Sequence, residues 1–396
     1  MDGICLDHNA TTPPLPAVVQ AVADCMSRCW ANASSSHAPG QQARQRLAAA
    51  RSSVARLLGC RPAEIVFTSG ATEANHAALL GALGREPGRD RLVLGAVEHA
   101  GVMRLAQRLQ DEGVRVDLIP VRGDGALDLE AARALMGADV ALVSVLAANN
   151  ETGVLMPLGE LAALAHGCGA PLHTDATQWT GKLPFRFQDC GADLVSLSAH
   201  KLHGPKGVGA LLVRQGLQWP ALLAGSQERG RRGGTENLPG IAGFAAAAEA
   251  LLAGPPLAER AAATAALRDA LERELLARLP GTRVYGAACP RLPNTSYLRF
   301  GTLPAELVLA RLERVGLVAA AGSACSSGGS QPSHVLLAMG VPRDEALCAV
   351  RLSLGATATR AEVGRVVARL GDALGPLLAE AARTACPPPD THWRAP

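Results

Sequence analysis

With 396 residues, 48% of them hydrophobic and 18% charged, the chain is long enough for a large core, most naturally in two lobes, and too apolar to be disordered. A net charge of +3, 3% aromatics and one dense basic run, Arg229-Gly-Arg-Arg232, offer nucleic acid neither an electrostatic footprint nor stacking platforms. No apolar run reaches bilayer length, and the N-terminus lacks a basic-then-apolar leader, so the expectation is a cytoplasmic protein with no membrane partner.

Residues 1–37 read as short elements with turn residues, including Asn9-Ala-Thr-Thr-Pro-Pro14 and Asn32-Ala-Ser-Ser-Ser-His37. Within 41–58 the residues Leu47, Val54, Leu57 and Leu58 recur at helical spacing, and Gly59 stands where a helix C-cap would. Residues 64–68 then read as a strand and 72–83 as a helix. The alternation continues with strands over 91–94, 114–119, 140–146, 171–175 and 193–197, and with helices near 101–112, 128–136 and 158–168. A further apolar run covers 208–213. Continuous apolar strands alternating with helices predict an α/β fold with a mostly parallel central sheet flanked by helices.

The character changes near Gly254-Pro-Pro256. Leu267, Leu271 and Leu275 repeat every four residues in a long helix ending near Leu279. A strand (294–300), a helix (305–315), a Gly/Ser-rich loop (322–333), a strand (349–353) and a helix from about 360 follow. This predicts a large cofactor-binding domain over 15–254 and a smaller α+β domain from 1–14 and 255–386. Residues 387–396 are expected to be a disordered tail.

Ten cysteines are scattered without a Cys-x-x-Cys pair or zinc-finger spacing. In a reducing compartment most are expected to be free, buried, small apolar residues. Chemistry is sought instead just past the strand ends, where open α/β sheets bind ligands. Ser69-Gly-Ala-Thr-Glu-Ala-Asn75 opens a helix and reads equally as an anion cradle or an ordinary N-cap by Thr72. Val97-Glu-His99, Asn149-Asn-Glu-Thr-Gly153 and Asp175-Ala-Thr-Gln178 follow the next three strands of interest, and Ser198-Ala-His-Lys201 follows another. Alone, Lys201 reads equally as a surface lysine or a reactive amine. Together the set fits pyridoxal phosphate, which needs a lysine for its aldehyde, a carboxylate on its ring nitrogen, a phosphate cup and a flat group over the ring. Asp175 would face the ring nitrogen, His99 would stack on the ring and exchange protons, and Asn150 and Gln178 would reach the phenolic oxygen.

Ser198-Ala-His-Lys201 with Gly204-Pro-Lys-Gly207, Asn149-Asn-Glu-Thr-Gly153, His173-Thr-Asp-Ala-Thr-Gln178 and Ser69-Gly-Ala-Thr-Glu73 resemble the cysteine desulfurases, of the class V aminotransferase family. The resemblance runs from Leu6 to about Gly355 and implies a fold type I pyridoxal-phosphate enzyme with Lys201 as the Schiff-base lysine. Arg229-Gly-Arg-Arg-Gly-Gly-Thr-Glu-Asn237 most resembles the nitrogen-fixation branch, which implies a homodimer whose Thr235 reaches the phosphate of the neighbouring subunit. Ser198 and His200 would join Thr72 in the phosphate cup, with Ala71 contributing backbone. Arg351 would clamp the carboxylate of the substrate, L-cysteine, beside Asn150. Cys325, in the small-residue loop Gly322-Ser-Ala-Cys-Ser-Ser-Gly-Gly-Ser330, matches the mobile catalytic cysteine that takes up sulfur as a persulfide. The implied recipient is an iron–sulfur scaffold protein, nitrogenase clusters among the destinations, and no metal site is expected unless Cys325 touches a transferred cluster. A selenocysteine lyase and an aminotransferase of the same fold are the alternatives, with a non-catalytic scaffold-binding protein behind them. The sequence departs from the family at Ala31-Asn-Ala-Ser-Ser35 and at His8, which bears on local loop shape.

Overall fold

The computed structural model describes residues 3–322 and 331–385. The chain opens with a two-residue strand, β1 (Ile4–Cys5), and a helix, α1 (Pro16–Arg28), which starts with Pro16 at the first helical position, where its missing N–H costs nothing. This helix lies where the sequence suggested only short elements. Its two buried residues, Val18 and Cys25, are seven apart and supply too thin an apolar stripe to stand out. Helix α2 (Ala38–Leu58) ends at Gly59 in the left-handed conformation, φ +58°, as its position predicted.

The central sheet contains β2 (Ile65–Thr68), β3 (Arg91–Gly95), β4 (Arg115–Ile119), β5 (Val140–Ser144), β6 (Leu172–Asp175), β7 (Leu194–Ser198) and β8 (Gly209–Val213), in the spatial order β2-β8-β7-β6-β5-β3-β4. The pairs β4–β3, β3–β5, β5–β6 and β6–β7 are parallel, and β8 alone runs antiparallel to both neighbours. Helices α3 (Ala71–Ala82), α4 (Ala100–Asp111), α5 (Leu129–Leu135) and α6 (Leu158–Gly167) connect the strands. Strands β5, β7 and β8 are buried at every residue, the signature of a sheet covered on both faces.

A helix over Leu238–Ala253 was not legible in the sequence. It is apolar around its whole circumference and buried along most of its length, so it has no amphipathic stripe to betray it. It packs against α1 and α2. No single helix among the described residues is long and apolar enough to cross a membrane.

A second sheet forms from β9 (Thr282–Tyr285), β10 (Thr295–Phe300) and, later in the chain, the strand Ala349–Ser353, with β10 in the middle and both pairings antiparallel. β11 (Leu317–Val318) pairs in parallel with β1, and Ala349–Ser353 is β12. Ile4 and Leu6 share a core with Leu271, Leu275, Leu298, Val350 and Leu370, so the N-terminus is packed among C-terminal elements.

Candidate functional site

Strands β3, β5, β6 and β7 are parallel, so their carboxyl ends open on one edge of the sheet, and the segments following them meet there. They line a cavity of about 800 Å³. Ala71, Thr72, His99, Asn150, Asp175, Gln178, Ser198, His200 and Lys201 all contribute, and Arg351 enters from β12 of the second sheet. Thr235 lies instead in a separate cavity of about 150 Å³ that shares Ser69 and Gly207 with the first. Cys325 lies outside the described residues, but Gly322 and Pro332, on either side of it in the chain, line the large cavity.

The α3 N-terminus is built for an anion. Gly70 is its N-cap, and no side chain caps the helix, so the capping role open to Thr72 is not taken. The close approach here rests on Gly209: a side chain on it would come within 2.7 Å of the Gly70 Cα. Glu73 also lines the cavity, with its charge already engaged. Its carboxylate accepts from the Ser69 N–H at 2.8 Å and pairs with Arg232 at 2.9 Å. Burial works to raise its pKa, but Arg232 and Ser69 outweigh it and hold the carboxyl below its ordinary value.

Asp175 ends β6, almost buried, and accepts from Asn75 Nδ2 at 2.7 Å and from the Thr177 N–H at 2.9 Å. Two further lone-pair directions of the carboxylate remain for a cationic partner. His99 caps α4 by accepting from the Gly101 N–H at Nδ1, 3.1 Å, so its proton sits on Nε2. Burial lowers its pKa despite the opposing charge of Asp175, which keeps the ring neutral. His200 is pushed down to about 4 by burial and by Lys201 and Lys206.

Lys201 follows β7 in a short 3₁₀ turn and donates from Nζ to the carbonyls of Asn9 and, at 2.7 Å, Ala10. Arg351 is 2% exposed and donates from Nη1 to Asn150 O at 2.9 Å and from Nη2 to Asp7 Oδ1 at 2.8 Å. Its Nε is buried without a partner among the described residues.

Residues outside the sequence reading complete the site. Asn9 is a hub: its backbone oxygen accepts from Lys201 and Gln178, its Oδ1 from Lys182 and Asn294, and its Nδ2 donates to Asn150 O and Thr295 Oγ1. Asp7 holds Arg351, and Asn75 holds Asp175. The sequence signals for Asn9 are its place in a turn-rich run and in the His8-Asn-Ala-Thr-Thr12 segment where the family resemblance begins. Asn75 is three residues past Thr72, one helical turn on.

The cofactor expected from the sequence fits these residues. The uncapped helix start offers free N–H groups to a phosphate, beside the hydroxyls of Thr72 and Ser198. Thr177 Oγ1, also in the cavity wall, is buried with no partner among the described residues. A carboxylate and a lysine end adjacent parallel strands, as a ring nitrogen and an aldehyde on one molecule require.

Residues 4–366 match the family model "Aminotransferase class-V". The chain is 46% identical over 370 residues to the "Cysteine desulfurase" of Cereibacter sphaeroides, covering 93% of this chain and 94% of that one. It is 47% identical over 371 residues to the "Cysteine desulfurase" of Bradyrhizobium diazoefficiens, with 93% and 94% covered. Among solved structures it is similar to a "NIFS-LIKE PROTEIN", with TM-score 0.86, 33% identity and coverage of 94% of this chain and 99% of the other. "SspA in complex with cysteine" aligns with TM-score 0.77, 30% identity and coverage of 88% and 98%.

Proposed function

The chain belongs to the class V aminotransferase family and, within it, to the pyridoxal-phosphate-dependent cysteine desulfurases; from that premise we propose which of its residues move the sulfur and where it goes. The reading is carried by one observation. Asp175 ends one strand of the central sheet, Lys201 follows the end of its neighbour and Arg351 stands mid-strand in the second sheet, yet they share one cavity wall.

The bound cofactor supplies an electron sink for the pair left when a Cα–H bond of the amino acid breaks. Lys201 would hold it and would take up the Cα proton of the substrate. Asp175 keeps the proton on the ring nitrogen, with Asn75 and the Thr177 N–H holding its carboxylate in place. Ala71, Thr72, Ser198 and His200 receive the phosphate. Gln178 and Asn150 face the phenolic oxygen, Asn150 also reaching the substrate, and neutral His99 covers the ring with Nε2–H available for proton exchange.

Arg351, fixed by Asp7 and Asn150 O, offers its remaining N–H bonds to the carboxylate of L-cysteine. The thiolate of Cys325 then forms an S–S bond with the substrate sulfur as the substrate Cβ–S bond breaks. The balance is L-cysteine plus enzyme thiol giving L-alanine plus enzyme persulfide. The recipient is an iron–sulfur scaffold protein. The likeness of 229–237 to the nitrogen-fixation branch supports nitrogenase clusters as a destination. The position of Thr235 in a second cavity supports a homodimer in which it serves the neighbouring subunit. The shared core of Ile4 and Leu6 with Leu271 and Leu298 supports a small domain made of both chain ends.

The test is alanine release and persulfide labelling with L-cysteine. C325A should load cofactor normally, form no persulfide and lose at least about a hundredfold in alanine release, the scale of a lost nucleophile. Full-rate alanine release by C325A would overturn the assignment.

A further inference from the structure

Lys182 is a buried amine with no part in the route above. It sits four residues after Gln178 in the turn following β6, where Trp179 and Thr180 both donate from their backbone N–H to Ala176 O. Gly181 makes the turn possible. Its φ is +81°, and a side chain there would come within 2.9 Å of Leu202 Cβ, so the turn presses against the residue after Lys201. Lys182 Nζ donates to two neutral oxygens, Asn9 Oδ1 at 2.9 Å and Gln178 Oε1 at 2.5 Å. No carboxylate pairs with it among the described residues, and the charged or titratable groups in its field are Lys201, Arg351 and His8. Burial first, then Lys201 and Arg351, push it well below the ordinary lysine value.

The Gln178 amide is thereby fixed from both ends. Its Oε1 faces the donating amine, and its Nε2 donates at 3.0 Å to Asn9 O, an oxygen that can only accept. The same Asn9 oxygen accepts from Lys201 Nζ. The amide N–H and the lysine nitrogen therefore converge on one atom. In pyridoxal phosphate the phenolic oxygen stands on the ring carbon next to the one bearing the aldehyde, so it neighbours the nitrogen that holds the aldehyde carbon. A donor beside Lys201 Nζ suits that oxygen, and a carbonyl there would repel it.

We propose that Lys182 is a positioning residue: by donating to Gln178 Oε1 it keeps the N–H, and not the C=O, of that amide beside Lys201, and so lowers the proton affinity of the bound cofactor. The inference rests on the reading of Gln178 as a partner of the phenolic oxygen.

The experiment is a pH titration of the visible cofactor absorbance in the holoenzyme. K182M should raise the pKa of the chromophore by about one unit, a tenfold gain in proton affinity. Q178A should raise it similarly, and K182M added to Q178A should add nothing. An unchanged pKa in K182M beside a shifted Q178A overturns the role of Lys182. No shift in Q178A overturns the underlying reading of Gln178. A full further shift from K182M on the Q178A background also overturns the proposal, because the amine would then act by its own charge. K182A, which leaves room for water, is the second variant should K182M not load cofactor, with the same rise expected and an unchanged pKa counting against it.

Discussion

Replacing Arg351 by lysine keeps the charge and removes the fork. In the structure the two ends of the guanidinium are committed separately, Nη1 to Asn150 O at 2.9 Å and Nη2 to Asp7 Oδ1 at 2.8 Å, and the whole side chain is buried. The remaining N–H bonds are those available to a substrate carboxylate. A single ammonium cannot hold both anchors and still present two parallel donors. The loss is at least one hydrogen bond to a charged group, about 1.5–3 kcal/mol. At about 1.4 kcal/mol per tenfold, this is a fall of roughly 10- to 150-fold in kcat/KM for L-cysteine. The assay is alanine formation across a range of cysteine concentrations, paired with a spectral titration of the holoenzyme by cysteine that reports binding apart from turnover. The defect should appear mainly as a raised KM and a matching rise in the spectral dissociation constant. If R351K binds and turns over cysteine within twofold of the parent protein, Arg351 does not hold the carboxylate and the reasoning fails.

D175N removes a charge and also turns an amide N–H toward the donors Asn75 Nδ2 or Thr177 N–H. It should cost roughly a hundredfold in alanine release and weaken cofactor retention, measured by dialysis and absorbance; a near-normal rate would exclude a role for the carboxylate. E228Q breaks a buried pair in which Glu228 meets Arg51 at 2.5 Å and also accepts from the Phe67 N–H at 3.0 Å. Leaving Arg51 buried and uncompensated should destabilise the fold by about 3–5 kcal/mol in denaturant titration, and a loss under 1 kcal/mol would contradict this. His173 is wholly buried between Ser144 Oγ and Ser196 Oγ, and burial pushes its pKa down to about 4. An unfolded histidine takes its proton near pH 6.5. The unfolded state therefore binds more protons between about 6.5 and 4, and stability should fall as pH drops through that window. A denaturation midpoint that stays flat from pH 7 to about 4.5 would contradict the assignment.

Local signals made much of this protein legible in its sequence. The strands at 65–68, 91–95, 140–144, 172–175 and 194–198 are short apolar runs bounded by turn residues, and each is followed at once by its polar cargo, so the strand and the site residue were read together. Lys201, Asp175, His99 and Asn150 line one cavity because one edge of a parallel sheet collects whatever follows its strands. Other features left no local trace. The helix Leu238–Ala253 is apolar on every side and carries no period. Lys182 reads as an ordinary loop lysine until the fold brings its amine to Asn9 Oδ1 and Gln178 Oε1. Asp7 and Arg351 are 344 residues apart, and Asn9 joins Lys201, Gln178, Asn294 and Thr295 across the whole chain. Periodicity and turn chemistry act over a few residues and so determined which groups stand at the strand ends. Hydrogen bonds between chain ends arise only when two sheets close on one cavity, and that closure decided how those groups are held, oriented and charged.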